Sequence, residues 1–188
     1  MKLSWSHKLF LKINKELGKN QVRDFVFLYA AHWSIYILGF AILQWVSSSL
    51  DLMSLKIFIK LILTATVFGY VGNCLMALVW RHPRPHKELQ DVKILFNPVE
   101  NWKSFPSDHA TISFIFVFVA LMFHPPLLLA IFFFALAILV SAARVYAGVH
   151  YPRDIVGGLF FAFIYSAIAF WLLQYISEPL YQYFINLL

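Results

Sequence analysis

Charge is what this sequence has least of: only 13% of its 188 residues are Asp, Glu, Lys or Arg, against roughly 25% in soluble domains. That shortage excludes a water-soluble globule and places the chain in a bilayer. A single cysteine, Cys74, lies inside an apolar stretch, so neither an intrachain disulfide nor a cysteine metal cluster is possible. No A-x-A-like cleavage site follows the first apolar stretch, which is read as retained. With no internal repeat or low-complexity tract, residues 1–188 read as one domain. His82, His86, His109, His150, Asp108 and Asp154 could in principle hold zinc. No pair of them matches an H-E-x-x-H spacing, however, and nearby arginines would repel a cation. No metal and no cofactor is expected.

What is present is apolar length. Hydrophobic residues make up 61% of the chain, and uncharged stretches run over 25–45, 61–80, 127–143 and 155–176, each near the roughly 20 residues that cross a hydrocarbon core. A fifth, 110–123, is short; begun at Ser107 it reaches 17 residues, about 26 Å of helix. The expectation is an all-α bundle of about five membrane helices over residues 24–176, with a tail from 177 to 188. Before it, residues 3–19 read as an amphipathic helix with Leu3, Trp5, Leu9, Phe10, Ile13 and Leu17 on one face and Lys8, Lys12, Lys15 and Lys19 opposite. Residues 1–23 are therefore assigned as interfacial, lying on anionic headgroups, with packing on the bundle as the equal alternative.

Five spans put three polar clusters on one side of the membrane: "WRHPRPH" (80–86), "SFPSDHA" (104–110) and "ARVYAGVHYPRD" (143–154). Ionisable groups at membrane helix ends are costly, so their convergence marks a functional site. Pro106 and Ser107 read as a helix start, with Ser107 as N-cap, and a helix N-terminus favours a phosphate. Arg84 and Arg144 offer planar forks for phosphate oxygens. His109 and His150 can divide the roles of nucleophile and general acid. Pro152 suits a first helical turn, which brings Asp154 within reach of His150.

These residues resemble the type 2 phosphatidic acid phosphatase superfamily, whose pattern is K-x6-R-P, then P-S-G-H, then S-R-x5-H-x3-D. Pro106-Ser107-Asp108-His109 matches the second motif, and Arg144, His150 and Asp154 match the third. Three positions depart: Ala77 stands for the first-motif lysine, Ala143 for the serine before Arg144, and Asp108 for the glycine. The wording "SFPSDHAT" with "GVHYPRD" is similar to the bacterial undecaprenyl-diphosphatase branch. The resemblance implies a helical fold shared with vanadium haloperoxidases and a membrane lipid phosphatase acting on a polyprenyl diphosphate. It makes His150 the nucleophile, Asp154 its orienting group and His109 the acid and base. Arg84, Arg144, Ser107 and Asp108, with the amides that follow Ser107, become the phosphate cradle. The partners implied are a lipid phosphate and the bilayer, with no nucleic acid.

Arg81, Lys87 and Lys103 are candidates to replace the cation lost at Ala77, and the linker 87–103, with Phe96 and Trp102, is a candidate substrate contact. Gly157 and Gly158 are expected to allow close helix packing near the site. His32, within the first span, is read as a hydrogen-bonding residue of the bundle. Phosphatidic acid, phosphatidylglycerophosphate and lipid A are alternative substrates, and a non-catalytic lipid-phosphate-binding or transport protein is the alternative from another class. Sidedness is opposed by two signals. Of 15 Lys and Arg residues, only Lys56 and Lys60 fall near the far side, which by the positive-inside rule makes the site's side cytoplasmic; the resemblance implies an extracytoplasmic site.

Overall fold

A computed structural model describes residues 3–98 and 102–186, and the part of the 87–103 linker at 99–101 lies outside them. The described residues are helical and contain no strand. In chain order the helices are α1 (Trp5–Asn14), α2 (Gln21–Ser49), α3 (Leu52–Val79), the short α4 (Pro85–Glu88), α5 (Asp108–Leu121), α6 (Leu127–Tyr146), α7 (Pro152–Ala167), α8 (Ala169–Leu172) and α9 (Glu178–Ile185). A π-helical turn at Leu173–Ser177 joins the last two. Helices α2, α3 and α6 are long and apolar enough to cross a membrane. Helix α7 and its continuation to Ile185 meet that test together, bent by 55°. No proline or glycine lies between 159 and 178 to signal the bend, which the uninterrupted apolar run to Ile176 conceals. Lys60 Nζ to Glu178 Oε2 at 2.7 Å and Thr64 Oγ1 to Ser177 Oγ at 3.0 Å tie the far part to α3.

Helix α5 sits at the centre, packed on α2, α3, α6 and α7. Ending at Leu121, it has 14 residues rather than the 17 expected, about 21 Å against a hydrocarbon core of about 30 Å. Surrounding helices make the shortfall tolerable, because irregular backbone at membrane depth is allowed where protein buries it. The segment leading into α5 is such a case: Ser104, Pro106 and Ser107 are buried. Outward faces are apolar instead. Phe25, Trp33, Leu63, Val67, Leu128 and Phe160 are all exposed, an arrangement that water would penalise and lipid accepts.

Helix α3 begins earlier than the apolar run does. Asp51 Oδ1 accepts from the amides of Met53 at 2.9 Å and Ser54 at 3.1 Å, an N-cap worth about 1 kcal/mol, and Lys56 and Lys60 fall within its first turns. Helix α1 packs on α6 and α7. Shorter than the 3–19 expected, it leaves that stretch's apolar residues divided: Phe10 and, past its end, Leu17 are buried, while Leu3 before it, Trp5 and Leu9 are exposed. The buried stripe also carries Ser6, His7 and Asn14, polar groups that a helix resting only on lipid would not turn inward.

Candidate active site

The three polar clusters meet at one end of the bundle. Arg84 and Arg144, His109 and His150, and Asp108 line a single cavity of about 710 Å³. Asp154 stands behind it, fully buried. The cavity continues along Tyr36, Gly39 and Phe40 of α2, Tyr70 of α3, and Ile112 and Phe116 of α5. A cationic, histidine-bearing end thus opens into an aromatic and aliphatic channel. That sequence of surfaces suits an amphiphile with an anionic head.

The turn that delivers His150 needs a glycine. Gly148 has φ +81°, and a Cβ there would stand 2.2 Å from the Lys93 carbonyl oxygen, so an L side chain is excluded both by conformation and by space. Asn14 holds that same Lys93 peptide from α1, donating from Nδ2 to its oxygen at 2.8 Å and accepting its amide at 3.0 Å. On α7, a Cβ at Gly158 would meet the Ser107 carbonyl oxygen at 3.0 Å and the Thr111 amide at 3.1 Å. A side chain here would push α7 away from the first turn of α5, and with it the third motif away from the second. Gly157 makes room for the Phe105 ring in the same way.

Hydrogen bonding fixes the tautomer of His150. Arg84 Nη1 donates to the Val149 carbonyl at 2.8 Å and lies 3.2 Å from His150 Nε2. A guanidinium only donates, so Nε2 carries the lone pair and Nδ1 the proton. Nδ1 faces Asp154 Oδ2 at 3.5 Å, a charge contact longer than a good hydrogen bond. The reason is competition: Oδ2 already accepts from Ser104 Oγ at 2.6 Å and from the Tyr151 amide at 2.8 Å. Burial pushes the His150 imidazole down to about 4, against the opposing pull of Asp154. The ring is therefore neutral near pH 7, with its lone pair on Nε2, the protonation state a nitrogen nucleophile requires. Linkage gives the sign for stability: this contribution is full above pH 6.5, the ordinary histidine value, and is lost as pH falls to about 4, because the unfolded chain takes up the proton first.

Tyr151, beside His150, is a fully buried hub. Its hydroxyl donates to Glu88 Oε2 at 2.9 Å, and its ring packs edge-on to His7 at 4.9 Å and Phe10 at 5.2 Å. His7 Nε2 lies 3.4 Å from the other Glu88 oxygen, while the Arg153 amide donates to Ser6 Oγ at 3.1 Å. Helix α1 thereby clamps the loop of the third motif against the helix that follows Arg84.

Ser107 occupies the N-cap of α5, yet its side chain makes no capping bond; its amide donates to the Asp154 carbonyl at 3.1 Å. The buried Ser107 Oγ and Arg144 Nε find no hydrogen-bond partner among the described residues. Arg144 Nη1 reaches the Ala31 carbonyl at 3.4 Å, and its guanidinium lies 5.1 Å from the centre of the Phe96 ring. Among the three candidate replacement cations, Arg81 and Lys87 are exposed and Lys103 is buried. Lys103 Nζ pairs with Asp108 Oδ2 at 2.8 Å and sits 3.4 Å from Cys74 Sγ, about one turn of α3 below Ala77. Asn73 Nδ2 donates to the other Asp108 oxygen at 3.0 Å. Neither Arg81, Lys87, Lys103 nor Trp102 lines the cavity; Asp108 stands between Lys103 and that space.

Sequence reasoning missed Ser104 and Tyr151 and gave His32 no place in the site. Ser104 lies 50 positions from Asp154, and no local spacing announces the contact. His32 lines the cavity. Among the described residues no group of three or more His, Cys, Asp or Glu side chains is arranged to hold a metal ion.

What folds here is a multi-pass helical membrane protein with one histidine- and arginine-lined cavity at an end of its bundle. The family model described as PAP2 superfamily matches residues 58–178, and the chain belongs to that superfamily. It is 32% identical over 127 residues to a protein named putative undecaprenyl-diphosphatase YbjG of Escherichia coli K12, covering 68% of this chain and 62% of that one. It is 29% identical over 108 residues to the bacitracin transport permease protein BcrC of Bacillus licheniformis, covering 57% of this chain and 51% of that one. The matches therefore span less than two thirds of either relative. Among solved structures, the crystal structure of Aquifex aeolicus LpxE aligns with a TM-score of 0.73 at 26% identity, covering 90% of this chain and 96% of that one.

Proposed function

We propose that the protein is a membrane lipid phosphatase that hydrolyses a polyprenyl diphosphate, undecaprenyl diphosphate in the first instance, to the monophosphate. The observation that carries this reading is the cavity itself, where neutral His150, His109, Arg84 and Arg144 share a wall that passes directly into an apolar channel. Similarity to a relative named putative undecaprenyl-diphosphatase supports the substrate.

In the proposed reaction the terminal phosphoryl group is held by Arg84 and Arg144, with Ser107 Oγ and the first amides of α5 taking further oxygens. His150 Nε2 attacks phosphorus, a P–N bond forms, and the bridging P–O bond breaks. His109 gives its proton to the departing oxygen as the lipid monophosphate leaves. The same ring then removes a proton from water, which attacks the phosphohistidine, breaks the P–N bond and releases inorganic phosphate. The arginines and amides stabilise charge on the equatorial oxygens in both steps. Lys103 neutralises Asp108 at the edge of this cradle, so that the carboxylate does not repel the phosphate.

The test is phosphate release by purified protein in EDTA, with C55 polyprenyl diphosphate, phosphatidic acid, phosphatidylglycerophosphate and lipid A in parallel. The expected result is metal-independent release that favours the diphosphate. Preference for a glycerolipid or lipid A would retain the chemistry and overturn the substrate, and binding without turnover would favour the non-catalytic reading.

The site is proposed to open on the extracytoplasmic face. This placement follows the family resemblance, and the Lys and Arg excess on that side opposes it. In a Cys74→Ala background, a cysteine at Lys12 should react with an impermeant reagent in intact cells and one at Ser48 should not. The reverse pattern would put the site in the cytoplasm.

A further inference from the structure

His32 is an imidazole on a membrane-spanning helix, about 16 Å along α2 from its start. Such a group is costly in lipid and normally faces a cavity with a task. It lines the same cavity as His109, His150 and Arg144. Its Nδ1 lies 2.8 Å from the Leu28 carbonyl oxygen of its own helix; a carbonyl only accepts, so Nδ1 carries a proton. Nε2 is left as the ring's uncommitted polar atom among the described residues. The ring also packs on Phe96 at 4.2 Å, and Phe96 bears the Arg144 guanidinium. One aromatic ring thus separates His32 from a residue of the phosphate cradle.

The face of α2 that carries His32 also says what lies beside it. His32, Tyr36 and Phe40 stand at i, i+4 and i+8, one above another, and all three line the cavity. Along the channel the surface changes from imidazole to phenol to phenyl. A ligand matched to that order has a second polar group next to the reacting phosphoryl group, and hydrocarbon only after it.

We propose that His32 is a specificity-determining residue whose Nε2 binds the second phosphate of a diphosphate headgroup, the one that stays on the lipid. The inference rests on the diphosphate reading given above. An anion at Nε2 stabilises the protonated ring, which then donates one charge-assisted hydrogen bond. A lipid carrying a single phosphate places only an alcohol carbon there and gains nothing from the imidazole.

The test compares farnesyl diphosphate with farnesyl monophosphate in mixed micelles, which differ only by that phosphate, using full-length wild type, His32→Ala and His32→Gln at matched thermal stability. His32→Ala should lower kcat/KM for the diphosphate by about 10- to 30-fold and leave the monophosphate within about twofold. His32→Gln, whose amide can still donate, should recover part of the loss. Equal losses on both substrates, or none on the diphosphate, would overturn the inference. The wild-type preference between the two substrates judges the diphosphatase reading separately. Should wild type not turn over the diphosphate, its inhibition constant against monophosphate hydrolysis makes the same comparison: an inhibition constant unchanged in His32→Ala overturns the role, and one raised tenfold or more supports it.

Discussion

His150→Ala is expected to reduce phosphate release from the preferred lipid by at least about a thousandfold, with little change in substrate affinity. Arg84 and Arg144 still line the cavity in this variant, so the phosphoryl group can bind. What is lost is the nitrogen pair that the structure presents: Nε2 unprotonated, Nδ1 turned to Asp154, the ring kept neutral by burial. Steady-state kinetics on variant and wild type of equal thermal stability check the effect. Activity within tenfold of wild type would remove His150 from the role of nucleophile.

His109→Ala is expected to give a result that depends on the leaving group. With a diphosphate, the departing group is a phosphate monoester, which leaves readily without a proton. The first step should therefore survive, and the second, which needs a base to activate water, should stall. Rapid-quench measurements should show close to one equivalent of lipid monophosphate per enzyme, followed by turnover slowed by about 10²- to 10⁴-fold. With phosphatidic acid the departing group is an alkoxide, so the first step should fail and no burst should appear. A burst with both substrates would contradict the role of His109 as acid, and undiminished steady-state turnover of the diphosphate would contradict its role as base.

The helical membrane architecture was legible because apolar runs of about 20 residues in a chain so poor in charge have few other uses. The spacing of Arg144, His150 and Asp154 was legible too, since a loop followed by a Pro-initiated helix fixes local geometry. Less accessible were features made by distant segments. Ser104 and Asp154 meet only because α5 and α7 pack closely through Gly158. Tyr151 is a hub because α1 folds back onto it, and an amphipathic pattern alone does not distinguish a helix seated on protein from one seated on lipid. The pairing of Lys103 with Asp108 was hidden because it depends on how the irregular segment before α5 folds against Cys74 of α3. His32 looked structural because a lone histidine in an apolar run carries no motif, and its significance appears only once Phe96, Arg144 and the cavity wall stand around it.

The central claim is that His150 accepts the phosphoryl group, and trapping that intermediate tests it most directly. Polyprenyl diphosphate labelled with ³²P in its terminal phosphate would be mixed with the His109→Ala protein, quenched in alkali, digested and mapped. The account predicts label on the peptide containing His150, stable to base, lost in acid, and absent when His150→Ala is added. Label on another residue, or undiminished turnover with no labelled protein at any time point, would contradict it.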